Sequence, residues 1–271
     1  MATVDVPLSR VRFGSTARKD NWWAMPLVTF LVFSSFVVYV TWALLQGDNY
    51  WYGNYLSPLY SPELFGSSPH AVFGPPPAWL VGLFPAPLHY SPAMLILVFP
   101  LAFRLTCYYY RGAYYKAFWA DPTACAVGEP RKDYRGEAKL PLIVQNIHRY
   151  ALYFALVFIV LLSIDVWKGL WFADPATGQE HFGVGVGSLV LLTNVVLIGG
   201  YTLGCHSLRH LVGGGIDRLS EVPMRRNAYR CVSCLNRRHM GWAWPSLVWV
   251  AFADLYVRLC ASGVWTDWRL L

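Results

Sequence analysis

Charged side chains are scarce in this chain: 14% of its 271 residues are Asp, Glu, Lys or Arg, against 56% hydrophobic. That balance excludes an ordinary soluble domain, in which about a quarter of residues carry charge. Residues 24 to 46 carry no charge and no histidine, and the chain shows no internal repeat and no low-complexity tract. The missing repeat speaks against a transporter built from two inverted halves around a central pathway. Six cysteines are present, but the closely paired ones fall in a connection assigned below to the cytoplasm. Thiols stay reduced there, so no disulfide framework is expected and the sulfurs are free to bind metal.

What remains is long apolar runs. A helix needs about 20 mostly apolar residues to cross a bilayer, and five segments qualify: about 24–46, 90–112, 143–167, 183–212 and 241–262. The second contains Arg104, placed near one end where its side chain can snorkel, and Tyr108, Tyr109 and Tyr110 suit the interface. Residues 1–21 are polar and basic and lead into a full-length span, so they do not read as a cleavable signal.

The connections alternate in charge. Residues 1–20 hold four basic and two acidic side chains, and 47–90 hold none and two. The counts are seven and four over 104–142, one and three over 165–182, and six and two over 213–241. By the bias of basic residues toward the cytoplasm, the expectation is an all-α integral membrane protein. It is one domain over 1–271, a bundle of five transmembrane helices with a cytoplasmic N-terminus and an outer C-terminus, multi-pass in an inner (plasma) membrane. The net charge of +7 then follows from topology and contact with anionic membrane lipid, not from nucleic acid. The 47–90 connection, rich in Pro, Gly, Tyr and Trp, reads as an ordered outer cap or a short re-entrant segment. The run Arg131-Lys132-Asp133-Tyr134-Arg135 reads as a solvated docking surface.

Ionisable groups at membrane depth need a partner or a purpose. Asp254 and Arg258 stand four apart, the spacing of an intrahelical ion pair. Chemistry concentrates at Cys205-His206-Ser207-Leu208-Arg209-His210 and Cys231-Val232-Ser233-Cys234. His206 and His210 share one helical face, and the Cys-x-x-Cys pair offers two thiolates. Cys205 is an alternative sulfur, turned about 100 degrees around the helix from His206. This donor set is open to several readings. A zinc site accepts it, although structural zinc usually folds small soluble modules. A Rieske-type [2Fe-2S] centre takes two thiolates on one iron and two imidazoles on the other, which is this inventory. Haem b needs histidines facing each other from different helices, and the first two spans offer only His89, near an outer end. The fourth reading is no metal, with Cys231 and Cys234 as the thiols of a membrane thiol oxidoreductase.

The runs QNIHRY, GGYTLGCHSLRHLVGGG and RRHMGWAWPSLVWVAFADLYVRL, set in five spans with no soluble catalytic domain, resemble the membrane-anchor (C) subunit of actinobacterial succinate dehydrogenase (complex II). The resemblance covers about residues 22–262. Five-helix anchors of the better-known type carry two haems b, and this chain departs from their ligand pattern. It is similar instead to the mycobacterial type with a membrane-embedded Rieske-type centre. The resemblance implies that succinate is oxidised at a flavoprotein subunit and that electrons pass through an iron–sulfur subunit docked on the cytoplasmic face. They then enter a centre held by His206, His210, Cys231 and Cys234 and reduce a quinone, with menaquinone the expected one. Arg209, His239 and Trp242 are the expected headgroup contacts, since a cation and an imidazole can bond the carbonyls while an indole covers the ring. His148 is expected on the cluster side or the quinone side.

Overall fold

The computed structural model describes residues 12–85, 88–120, 122–129, 140, 142–174 and 177–271. The charged run 131–135 lies outside them. The chain divides into two compact units, one formed by 1–35 with 105–146 and the other by 36–104 with 147–271.

In the smaller unit, aromatic rings provide the packing. Phe33, from the first helix α1 (Ala24–Gln46), meets the rings of Tyr110, Tyr114 and Phe118 at 5.9, 5.7 and 5.9 Å. Tyr110 belongs to α5 (Tyr108–Ala113), which runs on into a π-helical turn, Tyr114–Phe118. Backbone bonds between Gly14 and Gly128 (2.9 Å) and between Gly128 and Ser15 (2.8 Å) tie the chain before α1 to residue 128.

The larger unit holds α6 (His148–Lys168), α7 (Val186–Leu203) and α10 (His239–Ala261), with α6 and α10 both packed on α7. A hairpin of β3 (Trp171–Ala173) and β4 (Glu180–Phe182) joins α6 to α7. Close approach of α7 to α10 depends on Gly200, where a β-carbon would sit 2.6 Å from the Trp242 ring. The segment expected as one helix over 90–112 is instead a series of short helices, α3 (Ala93–Ile96), α4 (Val98–Leu105) and then α5. It breaks at Cys107, whose backbone is extended. The helix expected over 183–212 is also two: α7 ends at Gly204, Cys205 is extended, and α8 (His206–Gly213) follows, ending in the glycine run. The basic segment beyond forms a further helix, α9 (Pro223–Asn236), packed on α8.

Among the described residues three helices are long and apolar enough to cross a membrane: α1, the 143–168 segment containing α6, and α7. At 1.5 Å per residue α1 reaches about 34 Å. Many of its apolar side chains face outward, Val38 and Met25 among them, as lipid-facing surface should. The matching length of α10 carries the Asp254–Arg258 pair.

Residues 47–85 form an ordered cap over one end of the larger unit. β1 (Trp51–Tyr52) and β2 (Tyr55–Leu56) pair through a tight turn at Gly53, which has positive φ, and α2 (Ala78–Val81) follows. Tyr50 and Tyr60 stack at 4.3 Å in a core shared with Val40, Ala43, Leu97 and Val250. Glu63, buried within the cap, accepts bonds from Tyr50 (2.7 Å) and from the Ser68 hydroxyl. The segment 184–186 pairs with 268–271. There Asp267 accepts bonds from Tyr256 (2.6 Å), Tyr55 (2.9 Å) and the Gly187 N–H (2.8 Å). Burial pushes the hydroxyl pKa of both Tyr50 and Tyr55 up, so both remain donors to these carboxylates.

Candidate functional site

The site begins with the break between α7 and α8. Gly204 cannot gain a β-carbon without pressing on the Gly200 carbonyl at 2.7 Å and Leu235 at 3.2 Å, and Asn236 donates to the Gly204 carbonyl at 2.8 Å. The extended residue that follows turns Cys205 inward, leaving it 1% exposed. Its sulfur lies 3.1 Å from Nε2 of His148, the first residue of α6. The His148 ring stacks on Phe103 at 4.5 Å, and Phe103 meets Tyr201 edge-on at 5.4 Å. His239, at the start of α10 and 2% exposed, stacks on the other neighbour of that chain of rings, Tyr201, at 5.0 Å.

Arg104 completes this end. It does not snorkel along its own segment as expected. Its guanidinium lies 4.8 Å over Tyr201 and donates to Ser246 Oγ at 3.1 Å and to the Ala243 carbonyl at 3.4 Å. From Arg104, Tyr201 and Thr202 an apolar cleft runs between α4, α6 and α7, lined by Leu101, Phe158 and Ile198 on the way to Leu59 of the cap. A flat apolar ring with polar edges fits such a shape: greasy walls bury the ring and a cation over an aromatic face marks one end.

Of the residues expected to bind metal, only the alternative sulfur, Cys205, is buried at this end. His206 and His210 are brought together, Nε2 to Nε2 at 3.0 Å, but both are exposed. Cys231 and Cys234 sit one turn apart on α9 and are exposed too. Among the described residues no three His, Cys, Asp or Glu side chains gather closely enough to hold a metal ion. This set of four therefore does not close around a [2Fe-2S] centre as placed. The break at 204–205 turns Cys205 into the bundle and starts α8 with its two histidines exposed.

The expected headgroup contacts are also dispersed. Arg209 donates twice to the Tyr229 hydroxyl (3.0 and 2.8 Å) on the α8–α9 face and does not line the apolar cleft. Trp242 is wedged against Gly200, with its Nε1 buried and without a hydrogen-bond partner among the described residues. His148 and His239 do lie in the ring chain at the Arg104 end. Arg104, Tyr201 and Thr202 line the apolar cleft; their signal in the sequence is an arginine and a tyrosine inside apolar runs.

The buried pair expected from spacing is present. Arg258 Nε meets Asp254 at 2.7 Å, with the two side chains 6% and 0% exposed. Tyr39 and Ser57 also donate to Asp254, and Arg258 reaches the carbonyls of Ala43 and Asp48 at 3.0 and 2.7 Å.

The family described as actinobacterial succinate dehydrogenase subunit SdhC matches residues 24–263. No curated protein matches. Among solved structures, a chain of the Mycobacterium smegmatis Sdh1 complex in the apo form is similar, with 40% identity and a TM-score of 0.81 over 94% of each chain. A family match across nearly the whole length, with one fold shared at that identity, means that the chain belongs to the actinobacterial SdhC family and is the membrane subunit of a succinate dehydrogenase complex.

Proposed function

We propose that this subunit receives electrons from the soluble part of the complex and delivers them to a quinone, whose headgroup sits at the Arg104 end of the apolar cleft. One observation carries the reading: the cleft's apolar walls end at a guanidinium, a tyrosine and a threonine beside the half-buried His148 and the buried Cys205. The guanidinium is oriented by Ser246 and the Tyr201 face, so it is positioned to hydrogen-bond a carbonyl oxygen as charge builds there during reduction. The water-poor walls strengthen that bond and keep the reduced ring from side reactions.

A Rieske-type centre remains what the family resemblance implies, and it would supply one-electron transfer at the end of the chain of clusters. Because the four expected ligands do not converge among the described residues, the proposal rests on the cleft. His148–Cys205 is a soft-donor pair of which the fold buries the sulfur and half-buries the imidazole, and His206/His210 is the pair it exposes.

The test uses the purified complex and two electron acceptors. Arg104→Gln should raise KM for quinone about ten- to hundredfold, the range for loss of a charged hydrogen bond. Reduction of a soluble dye that takes electrons before the membrane subunit should be unchanged. Unaltered quinone reduction in this variant sinks the proposal. Iron and acid-labile sulfide measured in His206→Ala/His210→Ala and in His148→Ala/Cys205→Ser complexes then tell which donor pair, if either, holds a centre.

A further inference from the structure

A second pocket lies away from the cleft, between α8 and α9. It is lined by Arg209, Arg230 and Arg237, with Tyr229, Ser233, Cys234 and Asn236 between them. Among the described residues no carboxylate lines it. Arg209 is held by the Tyr229 hydroxyl, and among the described residues the side chains of Arg230 and Arg237 have no ion-pair partner. Ser233 Oγ is buried and without a hydrogen-bond partner among the described residues. Three cations and an unsatisfied hydroxyl around one concavity are the donor set for a phosphate-type anion.

The walls are fixed. The Gly213 position leaves only 2.7 Å to the Tyr229 ring, and Arg225 clamps the α8 C-terminus through the carbonyls of Val212 (3.0 Å) and Gly214 (2.6 Å). Asn236 ties the far end of α9 to Gly204 at 2.8 Å. The depth of the pocket identifies the anion's source. α8 starts only three residues after the apolar α7 ends, at the level where a chain leaves hydrocarbon. Apolar side chains on the same and adjoining elements remain uncovered, with Leu211 48%, Met224 85% and Met240 53% exposed. Cations facing a pocket beside exposed apolar side chains suit an anion that carries its own acyl chains.

We propose that the α8–α9 pocket binds the phosphodiester headgroup of an anionic phospholipid, its acyl chains lying along the exposed apolar side chains of the same elements. The site is independent of the quinone cleft.

The experiment uses the whole complex, delipidated and reconstituted in nanodiscs of phosphatidylcholine with a small share of phosphatidylglycerol, with retained lipid read by native mass spectrometry. The wild-type complex should retain phosphatidylglycerol in preference. Arg230→Gln/Arg237→Gln should weaken that retention roughly thirtyfold, as loss of two interfacial cations implies. Arg230→Lys/Arg237→Lys should restore most of it, which separates charge from folding. Equal retention in the Gln variant overturns the proposal. Displacement of the lipid by millimolar inorganic phosphate also overturns it, since the site would then take a free anion. Loss of the soluble subunits from the Gln variant with lipid retention unchanged would make the pocket a protein-docking surface and overturn it equally.

Discussion

Asp254 shows how much one residue's position determines in a membrane subunit. Fully buried, it is neutralised by Arg258 and bonded by Tyr39 and Ser57, 215 and 197 residues away in sequence. Removing one partner leaves an uncompensated buried charge, so Arg258→Leu should destabilise the subunit by about 3–5 kcal/mol. Replacing both, Asp254→Leu/Arg258→Leu, should recover part of that loss, because the desolvation penalty goes with the charges. Thermal unfolding of the purified complex checks both values; equal melting of the single and double variants would refute the argument. The pair itself was legible from its spacing of four. Its hydroxyl partners were not, because nothing local links Tyr39 to the last long helix. Cys205 teaches the converse: it was named only as an alternative sulfur, since a continuous helix would have left it turned away from its neighbours. A single extended residue after Gly204 moved it into the bundle and left His206 and His210 on the surface.

At the scale of elements, the long uniform helices were the readable ones. α1 matches its expected bounds, because an uncharged run of membrane length has few alternatives in lipid. The second apolar run was misread as one helix. Its hydropathy is continuous, but the chain breaks at Cys107 where the backbone becomes extended, and hydropathy does not report backbone angle. Packing between elements also depends on positions with no side chain. Gly200→Val would push a branched group into the Trp242 ring, already 2.6 Å from a bare β-carbon. The expected cost is about 1–3 kcal/mol from overpacking, read as a lower melting temperature. Gly199, which has nothing within 4 Å of a β-carbon, should accept alanine with little change. Similar losses at the two positions would show that the α7–α10 contact is looser than described.

For the molecule as a whole, alternating charge gave a topology that can be tested through its cysteines. Cys125, Cys231 and Cys234 are exposed, whereas Cys107, Cys205 and Cys260 are buried. A membrane-impermeant maleimide should label Cys231 and Cys234 in inside-out vesicles and not in intact cells stripped of their wall. Cys205 and Cys260 should react only after denaturation. Labelling of Cys231 from the outer side would invert the proposed orientation. Charge counting could reach this level because it needs only loop composition. The apolar cleft was not legible, because its walls come from α1, the cap, α4, α6, α7 and α10 together, and no one stretch of sequence carries its shape.

The pairing of 184–186 with 268–271, and the Asp267 cluster that joins Tyr55, Tyr256 and Gly187, bear on how the subunit is made. Tyr55 emerges from the ribosome long before Asp267. Before Asp267 is made, the Tyr55 end of the cap has, among the described residues, only the Ser188 hydroxyl of α7 to bond. Full closure of the cap is therefore expected late in biogenesis, after the chain beyond α10 is made. Chains arrested before α10 emerges should be cut within residues 47–85 by a protease added on the cap side, while finished chains resist it.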